Sequence, residues 1–382
     1  MAVLDFPYLA TSDTTAHKRI ITDVVSLIDP SDAPLVNAIG GLDGGSGKFR
    51  FVNGGKGTLI EWLEDSLISI EDTLAESATV TSTVLTLKVT DGSLYEVGHI
   101  LQIDSEQVWV SAVSTNTLTT TKRGWFSTTS ATHDSIAAIS IVGMARLEGA
   151  ESATYGYQGL STNSNWTQIY HREVKVSRTA QGVAQYGIGQ ELAYQADKAV
   201  PEMMRLIDRD LFYNKGGNIA TSSVAGKMKG LQAFVTTNVA SGASLTQAKI
   251  ESAVMSIYKA GGSDQLIAPV APETFQKVKN FYEYYGTTAV PVFTVPRTED
   301  TIGMVINNIQ TPFGKVALVM DRWCPTTLMP ILDPNNVGMV TYYPFTQEPL
   351  AKTGDYERVE VVGEFSLALR QQKGHALLTA VT

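Results

Sequence analysis

The chain has 382 residues, of which 43% are hydrophobic, with a formal net charge of −9 and one cysteine, Cys324. That length exceeds one simple core and suits two or three compact units. The acidic balance excludes a dedicated nucleic-acid binder, which needs clustered Lys and Arg against phosphate, and a single cysteine excludes an intrachain disulfide.

The first 47 residues read as an arm with one short helix at 15–28, where Ile20, Ile21, Val24, Val25 and Ile28 recur on one side. Asp29-Pro30 ends it, because the residue before proline avoids the helical region. The start has neither the basic residues nor the apolar run of a secretion signal, and no stretch approaches the roughly 18 apolar residues of a membrane span. Five glycines in 40–47 predict a flexible link. Residues 48–67 read as extended, with Phe49, Phe51, Leu59 and Trp62 as strand formers.

Residues 79–143 are rich in Thr, Ser, Val and Ile and poor in helix signals. Strands are expected at 80–89, 99–103, 107–113, 117–122 and 135–142. Turns are expected at Asp91-Gly92, Asp104-Ser105, Thr115-Asn116 and Arg123-Gly124. So many short strands in so few residues predict a small β-barrel.

Asn165-Trp-Thr reads as a turn entering an extended run that ends at Val176-Ser-Arg-Thr-Ala180. A long helix then covers about 189–213. Leu192, Ala196, Ala199, Met203 and Leu206 share its apolar face, while Glu191, Gln195, Lys198, Glu202, Arg205 and Arg209 share the other. At 1.5 Å per residue it is a strut of roughly 35 Å. Pro201 inside it removes a helical hydrogen bond and predicts a kink or a restart.

After a glycine-rich link at 216–226, Ser244-Leu-Thr-Gln247 reads as a capping box for a helix bearing Ile250, Val254 and Ile257, stopped by Gly261-Gly262. A short buried strand follows at 266–270. Pro272 opens a second helix that turns Phe275, Val278 and Phe281 inward, and 316–320 is another strand. Near the C-terminus Val359, Val361, Phe365, Leu367 and Leu369 alternate with Arg358, Glu360, Glu364 and Arg370, the pattern of a half-buried strand. Residues 374–381 are expected to pair back onto it.

The ordered series Asn165-Trp-Thr-Gln-Ile, Val176-Ser-Arg-Thr-Ala, the 191–213 helix, Lys227-Met-Lys-Gly-Leu-Gln-Ala-Phe, Phe313-Gly-Lys-Val, Leu350-Ala-Lys-Thr-Gly-Asp and Glu364-Phe-Ser-Leu-Ala-Leu-Arg resembles the major capsid proteins of tailed bacteriophages. The resemblance implies an α+β, Hong Kong 97-like capsid fold with an N-terminal arm over 1–47. E-loop limbs would occupy 48–78 and 144–180, with the β-barrel inserted at 79–143. A discontinuous peripheral domain would take 181–224 and 336–382, and an axial domain 225–335. The returning limb would be the strand at 167–179.

The implied function is an icosahedral head shell, built from pentamers and hexamers around double-stranded DNA without sequence-specific binding. Portal protein and scaffold or cement proteins would be partners, and assembly would occur in the bacterial cytoplasm. An encapsulin-like compartment and a tail or decoration protein are the alternatives. The resemblance also implies that an E-loop lies over a neighbour's strut. Arg172 and Arg178 on the limb would then pair with Glu191, Asp197, Glu202 and Asp208 of the next subunit.

No catalytic, metal or cofactor site is expected. Gly44-Gly-Ser-Gly-Lys48 has Leu42 where a phosphate loop needs its first glycine, and Phe49 where it needs Ser or Thr. His17, His99, His133, His171 and His375 have no metal-ligand spacing among themselves or with Cys324. His133 beside Asp134 reads as a solvated surface pair, and Cys324 as a small buried hydrophobe.

Overall fold

The computed structural model describes residues 32–43, 57–151, 159–183, 190–242, 244–282 and 308–379. The helix expected at 15–28, the Gly44 to Lys48 run and residues 48–56 of the extended run lie outside the described residues. The chain divides into two compact units, residues 1–62 with 163–382, and residues 63–162.

In the larger unit a short helix α1 (Pro34–Ala38) buries Leu35 and Val36. Strand β1 (Leu59–Glu64) pairs with β9 (Ser161–Trp166) in a two-stranded sheet. The Thr167 N–H donates to the Thr58 carbonyl and the Ser161 hydroxyl to that of Glu64, so the two strands run antiparallel. The strand that answers β1 is therefore 161–166, not the expected 167–179. The next run, β10 (Gln168–Ser177), pairs antiparallel with β17 (Tyr356–Leu369), which also pairs with β16 (Val337–Pro349). The reason is its inner face: Tyr170 and Val176 are buried and hold β10 to the core sheet. The strand stops at Ser177, whose hydroxyl accepts the Ala180 N–H and caps a short helix α2 (Arg178–Gly182).

The strut is helix α3 (Glu191–Tyr213), 23 residues continuous through Pro201. Its dry face is Ala196, Ala199 and Met203, rotating to Ile207, Leu211 and Phe212. That drift leaves Leu206, expected inside, 49% exposed. The dry face joins Leu35, Val36 and Ile39 of the N-terminal segment and Val361, Phe365 and Leu367 of β17 in one core. The half-buried alternation of β17 holds in its first part, but residues 365–369 are buried on both sides.

A second core lies in the same unit. Helix α4 (Leu231–Phe234) precedes strand β11 (Val239–Ser241). Helix α5 (Gln247–Lys259) buries Ile250, Val254 and Ile257. Its cap is Thr246, which accepts the Lys249 N–H, so the expected Ser244–Gln247 box does not form; Gln247 donates instead to Glu251. Strand β12 (Gln265–Val270) lies parallel to β14 (Gly314–Met320), with β13 (Asn308–Thr311) antiparallel on its far side and α6 (Pro272–Tyr282) between in sequence. Strand β18 (Ala376–Thr379) pairs with β11 and β15 (Leu328–Ile331), not with β17 as expected. Gln371, at φ 52°, and the 3-10 turn Gln372–Gly374 redirect the chain, so Leu378 enters the second core.

In the smaller unit, β2 (Glu71–Thr73), β8 (Ala138–Met144), β4 (His99–Ile103) and β5 (Glu106–Trp109) form one sheet in that order. Strands β3 (Thr86–Lys88), β7 (Thr117–Thr119) and β6 (Ala112–Ser114) form another. The described strands thus fall in two sheets, which an isolated bridge from Leu74, beside β2, to Val89, beside β3, links. They enclose Leu74, Leu87, Leu101, Ile103, Leu118 and Ile139. The unit extends beyond the expected 79–143 because Glu71–Thr73 pairs with β8.

Candidate functional site

The residues expected to meet a neighbour lie along the spine helix and β10. Arg172 reaches Glu202 of its own chain at 2.6 Å, with both side chains partly exposed. Arg178 sits in α2 and pairs with Asp355 at 3.0 Å on an exposed surface. Glu191 accepts a hydrogen bond from Gln195 at 2.7 Å, and Asp197 is exposed. An open groove of about 560 Å³ runs between β10 and the helix, lined by Arg172, Lys175, Glu191, Gln195 and Glu202 among others.

Asp208 belongs to a different place. It is fully buried and accepts the Val36 N–H at 2.8 Å, so it is no part of the strut's charged face. Helical spacing explains why: Asp208 lies three and four residues before Leu211 and Phe212, on the core side.

Elsewhere in the same unit, Asn165 joins three segments. Its amide donates to the carbonyls of Leu367 at 2.7 Å and Lys229 at 3.2 Å, while its carbonyl oxygen accepts the Lys229 N–H at 2.7 Å. The expected turn is therefore the buried end of β9. Gln168 and Tyr170 both donate to Asp210 of the spine at 2.8 Å. Burial first, and then the Asp210 charge, raises the Tyr170 hydroxyl well above the usual tyrosine range.

The smaller unit holds a buried ionic cluster that sequence reasoning missed. Arg123 lies fork-to-fork on Glu106, Nε to Oε1 and Nη2 to Oε2, both at 2.7 Å. The Gly124 and Ala131 N–H groups also donate to Glu106. His133 contacts Glu106 through Nε2 at 2.9 Å and Asp104 through Nδ1 at 2.7 Å. His133 is 1% exposed, so its reading as a solvated partner of Asp134 is corrected. The signal was period two: Glu106 shares a strand face with Val108, which points into the core.

Burial pushes the Glu106 carboxyl up, but Arg123, the Ala131 N–H, His133 and the Gly124 N–H outweigh it and hold it down at about 2. A depressed folded value stabilises above the unfolded value of 4.5 and loses that stabilisation as pH falls toward 2. The smaller unit is therefore expected to melt at progressively lower temperature across that acid window. Calorimetry of wild type against Glu106→Gln, whose curve should be flatter there, checks this.

Among the described residues, no group of three or more His, Cys, Asp or Glu side chains is placed to hold a metal ion. Cys324 is buried, and burial together with Asp321 pushes its thiol up, away from the reactive thiolate. No described helix is long and apolar enough to cross a membrane. What the arrangement offers is a rigid rod and sheet with a charged, open flank.

A family model described as SU10 major capsid protein matches residues 9–382. Among solved structures, the chain is similar to the capsid asymmetric unit of cyanophage A-1(L), with TM-score 0.57 and 12% identity over 98% of this chain and 100% of that one. It is also similar to the capsid of a native GTA particle, with TM-score 0.51 and 6% identity over 98% of this chain and 99% of that one. At such identities the likeness is one of fold. No curated protein matches the chain by sequence.

Proposed function

The chain belongs to the SU10 major capsid protein family, and from that premise we propose how its parts serve a tailed-phage head shell. A major capsid protein forms that shell, and the family match over residues 9–382 is the observation that carries this role here. The finer assignments are ours. The larger unit supplies the shell wall, with the spine helix and β10-β17-β16 sheet as peripheral domain and the second core as axial domain. The 63–162 unit is a β-domain inserted between the E-loop limbs β1 and β9. The role is structural, without turnover, in pentamers and hexamers that enclose double-stranded DNA. A portal protein and scaffold or cement proteins join them during assembly in the host cytoplasm.

Electron microscopy of gradient-purified protein, co-expressed with its neighbouring phage genes, tests the proposal. Closed, uniform particles are expected, and rings or small oligomers under those conditions would overturn it.

We further assign the groove flank to contacts between copies, with Arg172 and Arg178 meeting a neighbour's Glu191, Asp197 and Glu202. In support, the internal pairs of both arginines are partly exposed, and such pairs are worth at most about 1 kcal/mol, so they exchange partners easily. Arg172→Glu with Arg178→Glu is expected to cut particle yield several-fold. Glu191→Gln with Asp197→Asn, which leaves the internal pairs intact, is expected to cut it too. Normal yield in both variants would remove the flank from the interface.

A further inference from the structure

The buried Asp208 has a counterpart. Asp321, just past β14, is also fully buried. Its Oδ1 accepts the Trp323 N–H at 2.8 Å, and the Leu35 and Cys324 N–H groups donate to the same carboxyl. Asp208 Oδ1 accepts the Val36 N–H. The second oxygen of each carboxyl is buried with no N–H or O–H group donating to it, and the two carboxyls lie close enough to share a proton. Two acceptor-only carboxylates cannot bond to one another, whereas one proton between them satisfies both buried oxygens.

We propose that Asp208 and Asp321 form a proton-controlled latch that holds residues 32–42 against the spine helix and the end of β14.

The two acids have different roles. Asp321 takes three backbone N–H groups, which favour its charged form, whereas Asp208 takes one. Asp208 therefore carries the proton and donates it to Asp321. The latch gathers three parts of the chain: Leu35 and Val36 from the N-terminal segment, Asp208 from the spine, and Asp321 from the second core's sheet. The segment is also held by hydrogen bonds from Trp323 Nε1 to the Asp32 carbonyl at 2.9 Å and from Thr341 Oγ1 to the Leu42 carbonyl at 3.0 Å, and by the exposed pair of Asp32 with Arg322. Neither of those two hydrogen bonds involves a titrating group.

The surrounding charges do not relieve the pair. Asp32, before α1, adds negative charge, and its own partner is Arg322, at 3.7 Å. Cys324 stays a neutral thiol. Asp210 is turned toward Gln168 and Tyr170. Among the described residues, no ion pair is recorded for either carboxyl.

Burial first, then the Asp321 charge, pushes Asp208 up to about 8. A raised folded value means that the docked segment is favoured fully below the unfolded value of 3.8 and progressively less as pH rises toward 8. Above that, the proton leaves to solvent and two carboxylates face each other in a dry site. Undocking residues 32–42 lets water reach them.

Hydrogen exchange of the Leu35 to Ile39 amides in the full chain, corrected for intrinsic rate, is the test. From about pH 7 to pH 9.5, wild-type protection should fall by about tenfold or more, one pH unit of linkage being a factor of ten. Asp208→Asn should be flat, because its amide donates permanently to Asp321 while its carbonyl still accepts the Val36 N–H. Parallel profiles would overturn the latch. Infrared difference spectroscopy of wild type needs no variant: a protonated-carboxyl band at neutral pH that disappears on alkaline titration is expected, and its absence at neutral pH would equally overturn it.

Discussion

Glu106→Ala is expected to unfold the 63–162 unit selectively, at a loss on the order of 3–5 kcal/mol, the usual effect of removing one member of a buried ion pair. The cause is what remains behind. Arg123 and His133 keep their buried positions, and Arg123 still ties the carbonyls of Thr81, Val84 and Ala131 together. Without Glu106 its charge loses the carboxylate it is paired with, and the Gly124 and Ala131 N–H groups lose their acceptor. Against typical domain stabilities of about 5–15 kcal/mol, that is a large fraction. Peptide-resolved hydrogen exchange should show protection lost in β4, β5 and β8 and kept in β16 and β17. The triple variant Glu106→Leu, Arg123→Met, His133→Leu should recover part of the loss, because it removes the charges together. Native-like protection in the single variant would show that the cluster contributes little.

Asn165→Ala is expected to have the second largest effect, within the other unit. It strands the Lys229 N–H and the Lys229 and Leu367 carbonyls at a fully buried site. Each buried group left unpaired costs roughly 1–3 kcal/mol. Partial relaxation and entry of water reduce the sum, so a loss of about 3–5 kcal/mol is expected by denaturant titration. Asn165→Asp is the sharper comparison. It keeps an acceptor for Lys229 but turns a negative oxygen toward two carbonyls, so it should be at least as damaging as alanine. An aspartate variant as stable as wild type would contradict the bonding described.

The contrast between these sites and the spine helix explains what the sequence disclosed. The helix was legible because Ala196, Ala199 and Met203 repeat with its own period, and no distant residue is needed to see that. Strand β4 and the turns at Asp104 and Thr115 were legible for similar local reasons. Glu106, His133, Asn165 and Asp208 were misread or passed over because a polar residue alone suggests water. Each is buried on account of partners between 17 and 202 positions away. Of the expected interface residues, Arg172 and Glu202 do come together, but inside one chain, and the sequence could not distinguish an internal pair from one between copies. Adjacency in sequence also misled at the C-terminus, where β18 passes over its neighbour β17 and joins strands from 239–241 and 328–331.

The pairing of β1 with β9 has a topological consequence. The chain leaves for residues 63–162 and comes back along neighbouring, oppositely directed paths. A module tethered in this way can be lengthened, exchanged or cut out between two adjacent strand ends, without rethreading the rest of the chain. Shortening the excursion from about 100 residues to a few changes closure entropy only logarithmically. The position is thus a natural splice point: a change of what is carried between β1 and β9 leaves the chain's two ends of attachment side by side.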